Sequence, residues 1–433
     1  MKSSMKRALS VSMAALMATG LIAGCSQGES KPQAGKPAEN TAAPAKDEPV
    51  TLEFWTISLQ PKFNDYFNKL FAEYQATHPN VKIDWKDFPI DAIQSRLLTS
   101  VASGNVPDVV NLNTELANQV GSKGALADLN QHLTPEQKAA YFDGIYNSTV
   151  LNGKAYGLPW YTSASVLFMN KKLVEKAGLD PKNPPKTREE LFQWARTIKE
   201  KTGAAGFARA INSSIFGGEG IPLLSADKKT AAFNTPEGVK FIDEYAKLYK
   251  EGVIPKEDAN FDKQVAYFAG EQTAFQMSGT TFINRIKTAA PEVYQNTVVA
   301  SLPLGKSGTR TSNTMNMAVP AKSKNVKAAV EFGVFLTNAK NQLEFSKVAN
   351  TLPSTKDSIK DPFYTQTDGS LEAEAKLASA KGLEKASDFL LGVEKAGDVN
   401  TAVNKRLQNI FLNGADIKTE LDAAAKDVDN VLK

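Results

Sequence analysis

The chain has 433 residues, 42% hydrophobic and 23% charged, with a formal net charge of +4, which describes a globular protein too long for one ordinary domain. Lys2, Lys6 and Arg7 supply three of the positive charges at the very start, so the remainder is near neutral and carries no electrostatic footprint for nucleic acid. One cysteine, Cys25, excludes an intramolecular disulfide and a cysteine-based zinc site, and His78 and His132 leave little material for imidazole chemistry, so no metal and no cofactor is expected.

In chain order, Lys2, Lys6 and Arg7 precede an apolar run over residues 8–22, the pattern of a secretory signal too short to span a bilayer. The run ends in Leu21-Ile22-Ala23-Gly24-Cys25, which resembles a bacterial lipobox. Residues 1–24 are therefore expected to be a lipoprotein signal peptide and Cys25 the point of lipid attachment. From 26 to 49 there is no aromatic residue and no Ile, Leu, Val or Met, so this segment cannot bury enough apolar area to offset ordering entropy. Residues 25–49 are expected to be a lipidated, disordered tether that anchors the body to a membrane without crossing it.

The body opens with a β-rich run at 50–57, followed by a helix whose Phe63, Phe67, Leu70, Phe71 and Tyr74 share one face. Period-two alternation at 81–85 predicts a second strand, 90–103 a second helix and 107–112 a third strand. Strands alternating with helices of this length imply parallel β-α-β units, whose ligands bind beyond the C-terminal strand ends. At 153–180 turn residues and aromatics give way to an apolar run, Val166-Leu167-Phe168-Met169, and then to a helix stopped by Gly178. Such a double change of character fits a chain leaving one lobe and entering another, with Trp160 and Tyr161 at the junction. Aromatics commonly line pockets at such junctions.

Beyond it, Thr187 and Glu190 form a capping box for a helix with Leu191, Trp194, Ala195 and Ile198 on one face and Gly203 as its stop. Thr235-Pro236 opens a similar helix with Val239, Ile242, Tyr245 and Leu248 inward. The glycine-rich stretch 215–220 has neither GxGxxG nor GxxxxGK[ST], so it is no phosphate cradle. A strand is predicted within 270–280 and another at 298–303, the loop 305–314 leads to 315–320, and an amphipathic helix is predicted at 326–337. Residues 371–433 read as largely helical.

Taken together, TLEFWT, PDVVNLN, GALADL, GKAYGLPW with VLFMNKKLVEKAGL, PPKTREELFQWARTIKEKTG, FAGEQTAFQMSG, SLPL, NMAVPAKSKNVKAAVEF and TLPS occur in an order that resembles the extracellular solute-binding proteins of family 1. These are the substrate-binding lipoproteins of ABC importers for sugars. The resemblance covers nearly everything from Val50 onward. It implies an α/β, two-lobed periplasmic-binding-protein-like fold of type II, with a ligand cleft between the lobes. Carried over, lobe 1 is 50–161 plus 313–365 and lobe 2 is 162–312 plus 366–433. Gly279-Thr280-Thr281-Phe282 departs from the family where many sugar binders place a tryptophan.

A sugar site needs flat aromatics for C–H faces and amide or carboxylate groups for hydroxyls. The loops that strand ends and the resemblance bring to the cleft offer Trp55, Asn113, Glu115, Trp160, Tyr161, Phe216, Gly217, Thr280, Phe282, Asn313 and Asn316 as ligand-binding candidates. What the resemblance implies is capture of a sugar or oligosaccharide by hinge closure and delivery to the transmembrane subunits of an ABC permease. The protein would work as a monomer, lipid-anchored on the extracytoplasmic face of a bacterial membrane, with no catalytic residue. Two other readings stay open. One is an anionic solute such as a polyol phosphate, for which Arg209, Arg285 and Arg310 are the nearest cations. The other is a surface carbohydrate-active enzyme, although GxSxG is absent.

Overall fold

The computed structural model describes residues 49–433; the expected signal peptide, Cys25 and all but the last residue of the expected tether lie outside the described residues. Elements follow in chain order. Strand β1 (Val50–Ile57), helix α1 (Asn64–Thr77), β2 (Val81–Phe88), α2 (Ile90–Ser103), β3 (Val109–Asn113) and α3 (Thr114–Ser122) build the first lobe, to which the short β4 (Leu158–Pro159) is added. The second lobe takes β5 (Val166–Asn170), α4 (Arg188–Thr202), β6 (Ala205–Phe207), α5 (Pro236–Lys250), β7 (Thr273–Ser278), α6 (Thr281–Ala289) and β8 (Thr297–Ser301). Then come β9 (Arg310–Ser312), β10 (Met315–Ala318), α7 (Val326–Leu336), α8 (Ala339–Ala349), β11 (Ala386–Asp388), α9 (Ala396–Asn413) and α10 (Ile417–Leu432).

The first sheet has the order β2-β1-β3-β10-β4 and the second β8-β5-β7-β6. In the first, β1 pairs in parallel with both β2 and β3, as alternating strands and helices imply, while β10 returns antiparallel to β3 and β4. In the second, β5 lies antiparallel between β7 and β8. Each sheet has its own core. In the first lobe the face of α1 carrying Phe67, Leu70, Phe71 and Tyr74 is buried on the sheet, and Phe54 meets Phe71 and Phe332 edge-on at 6.2 and 5.6 Å. A fully buried phenylalanine contributes about 1.5–3 kcal/mol relative to leaving it in water. In the second lobe α4 starts at the Thr187–Glu190 capping box, ends at Gly203 with φ 80°, and buries Leu191, Ala195 and Ile198. Trp194 is half-buried against the same core, and α9 and α10 complete it with Val399, Val403, Leu407, Leu421 and Val428.

Between the lobes the chain leaves at Tyr161–Thr162, which pairs with Leu352–Pro353, and returns through β9 into β10. A third passage ends in β11, which pairs in parallel with β9. Phe142, Ile145, Ala164, Leu352, Tyr364, Leu383 and Ala386 form a small apolar cluster at this joint. Residues 371–433 are thus not wholly helical: 386–388 is a strand, and the apolar run Phe389-Leu390-Leu391 that follows is irregular and ends at Gly392, whose φ is 65°. A run whose side chains face both the second core and open space has no helical period to keep.

Candidate cleft between the lobes

The C-terminal ends of the parallel strands open onto a trough between the lobes. Ile57 closes β1 and Asn113 closes β3, and both line it. The central cavity, about 560 Å³, is bounded by Asn113, Glu115, Tyr161, Asn313 and Met315 and, opposite, by Ser214, Asp388, Phe389 and Leu390. Asn113, Glu115 and Met315 continue into a second cavity of about 500 Å³ with Ile57, Gln94, Gln119, Val393 and Glu394. Asn313 continues the other way into one of about 330 Å³ with Ser163, Ser278 and Thr280. Glu115 also lines a smaller recess beside Leu391 and Gly392. A hollow of about 680 Å³ with Lys172, Lys176, Lys199 and Lys256 lies at the opposite ends of β5, β6 and β7, away from the crossings.

The polar wall is built by ordinary helix chemistry. Asn113 has extended backbone and its Oδ1 accepts from the Leu116 amide at 2.8 Å, capping α3. The residue is exposed and lines the cavity. Glu115 follows in the first turn of α3, where the helix dipole favours a carboxylate, and it makes no hydrogen bond or ion pair with the other described residues. Tyr161 is half-buried, its ring edge-on to Trp160 at 4.7 Å; burial, aided by the charge of Asp87, pushes its phenol up to about 12. Asn313, exposed, stands at the return crossing where its carbonyl accepts from Thr162 Oγ1 at 3.3 Å.

The structure therefore brings Asn113, Glu115, Tyr161 and Asn313 around one cavity and Thr280 into the adjoining one. Gly217 stands behind the wall: a Cβ there would meet the Phe389 ring at 2.5 Å, so only glycine lets that ring lie on the backbone. Five candidates are corrected. Trp160 is 1% exposed, stacked on Phe345 at 4.6 Å in the first core. Trp55 lies two residues short of the strand end, beneath α2, with Phe88 at 4.9 Å and Nε1 donating to Glu53. Phe216 packs on Phe233 at 5.5 Å and Phe282 on Phe168 at 4.8 Å, both fully buried. Asn316 is buried on β10, its Nδ2 donating to Thr114 Oγ1 at 2.9 Å. In a parallel sheet covered on both faces a side chain short of the strand end, such as Trp55, belongs to the core, while Phe216 and Phe282 are on the buried faces of a 3-10 turn and of α6.

Missing from the expected set are Asp388, Phe389, Leu390, Val393 and Glu394, which line the far wall. The legible signal was an uninterrupted apolar triplet running into a glycine, with no helical face. Charge is one-sided here. Glu115, Asp388 and Glu394 are the charged groups lining the four cavities, and no Lys or Arg lines any of them. Lys123 pairs with Glu394 at 2.7 Å. Arg310 is buried and donates to the carbonyls of Ser165 and Leu302, Arg285 pairs with Asp262, and Arg209 lies over the Tyr245 ring at 5.0 Å. Among the described residues no three His, Cys, Asp or Glu side chains gather as metal ligands, and no helix is long and apolar enough to cross a membrane.

The profile described as "Bacterial extracellular solute-binding protein" matches residues 60–343. A galactooligosaccharide-binding protein of Bacillus subtilis is 23% identical over 92% of this chain and 93% of its own length. A diacetylchitobiose binding protein of Streptomyces coelicolor is 26% identical over 76% and 78% respectively. In three dimensions the sugar-binding protein MalE of Xanthomonas citri is similar at a TM-score of 0.76 and 21% identity, covering 88% of this chain and 97% of that one, a likeness of fold.

Proposed function

Because this chain belongs to the bacterial extracellular solute-binding protein family, a family with sugar- and oligosaccharide-binding members, we propose that its cleft takes up a neutral sugar or oligosaccharide and passes it to an ABC permease. The observation that carries this reading is the composition of the trough. Free hydrogen-bonding groups from Asn113, Glu115 and Asn313 face apolar and aromatic surface from Tyr161, Phe389 and Leu390 across about 560 Å³. Hydroxyls suit the first set and C–H faces the second. An anion would call for Arg or Lys, and the lining has neither, so the polyol-phosphate reading has no support in this geometry.

In mechanism, the ligand contacts both lobes only when they approach, so its binding shifts the population toward the closed form. Lobe 1 is taken as 50–161 plus 313–365 and lobe 2 as 162–312 plus 366–433, the crossings at 161–162 and 312–314 bending. The family's role is binding, and no bond-breaking step is invoked. Residues 1–24 are read as a signal peptide and Cys25 as the lipidated residue that holds the protein at the outer face of the cell membrane; Cys25→Ser should release it into the medium.

A thermal-shift screen of neutral mono- and oligosaccharides against sugar phosphates tests the assignment, since a ligand that binds the native state stabilises it by RT ln(1 + [L]/Kd). At least one neutral saccharide should raise the melting temperature in proportion to the logarithm of its concentration, with phosphorylated sugars inert. A shift confined to the phosphates would overturn it.

A further inference from the structure

We infer that Asp388 is the positioning residue of the hinge, holding the far wall of the cleft in register with the helix that carries Glu115; this rests on the solute-binding reading above. Its carboxylate accepts from four neutral donors on two separate stretches of chain. Oδ1 takes Ser312 Oγ at 2.5 Å and Thr314 Oγ1 at 2.9 Å, both on the return crossing. Oδ2 takes the Thr314 amide at 3.2 Å and the hydroxyl of Thr114, the first residue of α3. The Asp388 amide in turn donates to Ser148 Oγ at 3.0 Å. Thr314 Oγ1 also lies 3.0 Å from Thr162 Oγ1, so the outward crossing joins the same network.

No ion pair among the described residues involves Asp388, so its half-buried charge is held by these donors, and hydrogen bonds to an ionised acceptor are roughly twice as strong as neutral ones. Directly after it, Phe389 lies on Gly217 and lines the central cavity. Directly after Thr114 comes Glu115 on the opposite side of that cavity. One carboxylate thus ties the residue before one wall to the residue before the other, and to both crossings. An aspartate is needed because only an acceptor on both oxygens satisfies the Thr314 amide and three hydroxyls at once.

Hydrogen–deuterium exchange of the full chain, without ligand, tests this in the wild type, Asp388→Asn, Asp388→Ala and Thr114→Val. Asp388→Ala should raise amide exchange at least tenfold over 310–314 and 386–391 while β1 to β3 keep theirs, and Asp388→Asn should fall between it and wild type. Exchange within twofold of wild type in those two segments, or a uniform rise across both sheets, would overturn the inference, the latter by showing a merely structural role. Should Asp388→Ala not fold, Thr114→Val, which cuts the Asp388 link to α3 and leaves Asn316 Nδ2 its second acceptor, the Thr314 carbonyl at 3.3 Å, is read by the same criterion. Since no ligand is present, failure of the saccharide assignment would show in the thermal-shift screen and leave this result to decide on Asp388 alone.

Discussion

Replacing Trp160 separates a core role from a cleft role. Its indole is 1% exposed, stacked on Phe345 at 4.6 Å and edge-on to Tyr161 at 4.7 Å and Phe67 at 6.0 Å. Trp160→Ala removes those contacts and leaves a cavity, a change worth about 3–5 kcal/mol for large aromatic truncations. Trp160→Phe has a different balance. Nε1 of Trp160 is buried with no hydrogen-bond partner. Removing that stranded N–H recovers about 1–3 kcal/mol of desolvation, offsetting most of the lost ring contact. The phenylalanine variant should therefore stay within about 1 kcal/mol of wild type, against at least 3 for alanine. Urea unfolding followed by far-ultraviolet dichroism gives both numbers, and a saccharide titration of Trp160→Phe should give wild-type affinity. If Trp160→Ala keeps the wild-type urea midpoint while abolishing the saccharide response, the indole belongs in the cleft and the reasoning fails.

Glu115→Gln and Asn313→Ala remove groups that face the cavity without other partners, so each should weaken saccharide binding about tenfold, roughly 1.4 kcal/mol, by calorimetry. Both should leave the melting temperature of the ligand-free protein unchanged. Burial raises the phenol of Tyr161 to about 12 and those of Tyr141, Tyr249 and Tyr364 further in the same direction. A folded value above the ordinary one near 10 means that this stabilisation is complete below about pH 10 and is lost as pH rises through the folded values. Phenolate absorbance should accordingly lag that of free tyrosine and rise together with loss of dichroism, whereas titration of every tyrosine near 10 would contradict the burial. Arg188 meets Glu219 at 2.5 Å with 10% and 3% of their side chains exposed. Arg188→Met removes the cation facing that carboxylate, leaving it the Lys306 backbone amide, and should destabilise by about 3–5 kcal/mol, read from the urea midpoint; a loss under 1 would show the pair to be dispensable.

Local pattern carried most of the fold. The period of Phe67, Leu70, Phe71 and Tyr74 marked α1, the Thr187–Glu190 box marked the start of α4, and alternating strands and helices implied the parallel half of the first sheet. Of the site, the residues at element ends were legible: Asn113, Glu115 and Asn313 stand where a strand or crossing stops, and there a polar side chain has no core to enter. Aromatic type misled. Trp55, Trp160, Phe216 and Phe282 were read as ligand platforms because sugars need them, yet a core needs the same rings, and only depth along the strand or helix distinguishes the two uses. The wall from Asp388 to Glu394 was missed because its partners are distant in sequence: Thr114 is 274 residues away from Asp388. No local period encodes such a contact.

A trough lined by amides, carboxylates and aromatic surface, with no Lys or Arg, should hold an uncharged saccharide. Isothermal titration of the purified chain with neutral oligosaccharides, beside their phosphorylated counterparts at two ionic strengths, addresses it most directly. One site per chain is expected for a neutral saccharide, with affinity insensitive to salt and no heat from the phosphates. Salt-sensitive binding of the phosphorylated sugars, with none of the neutral ones, would contradict it.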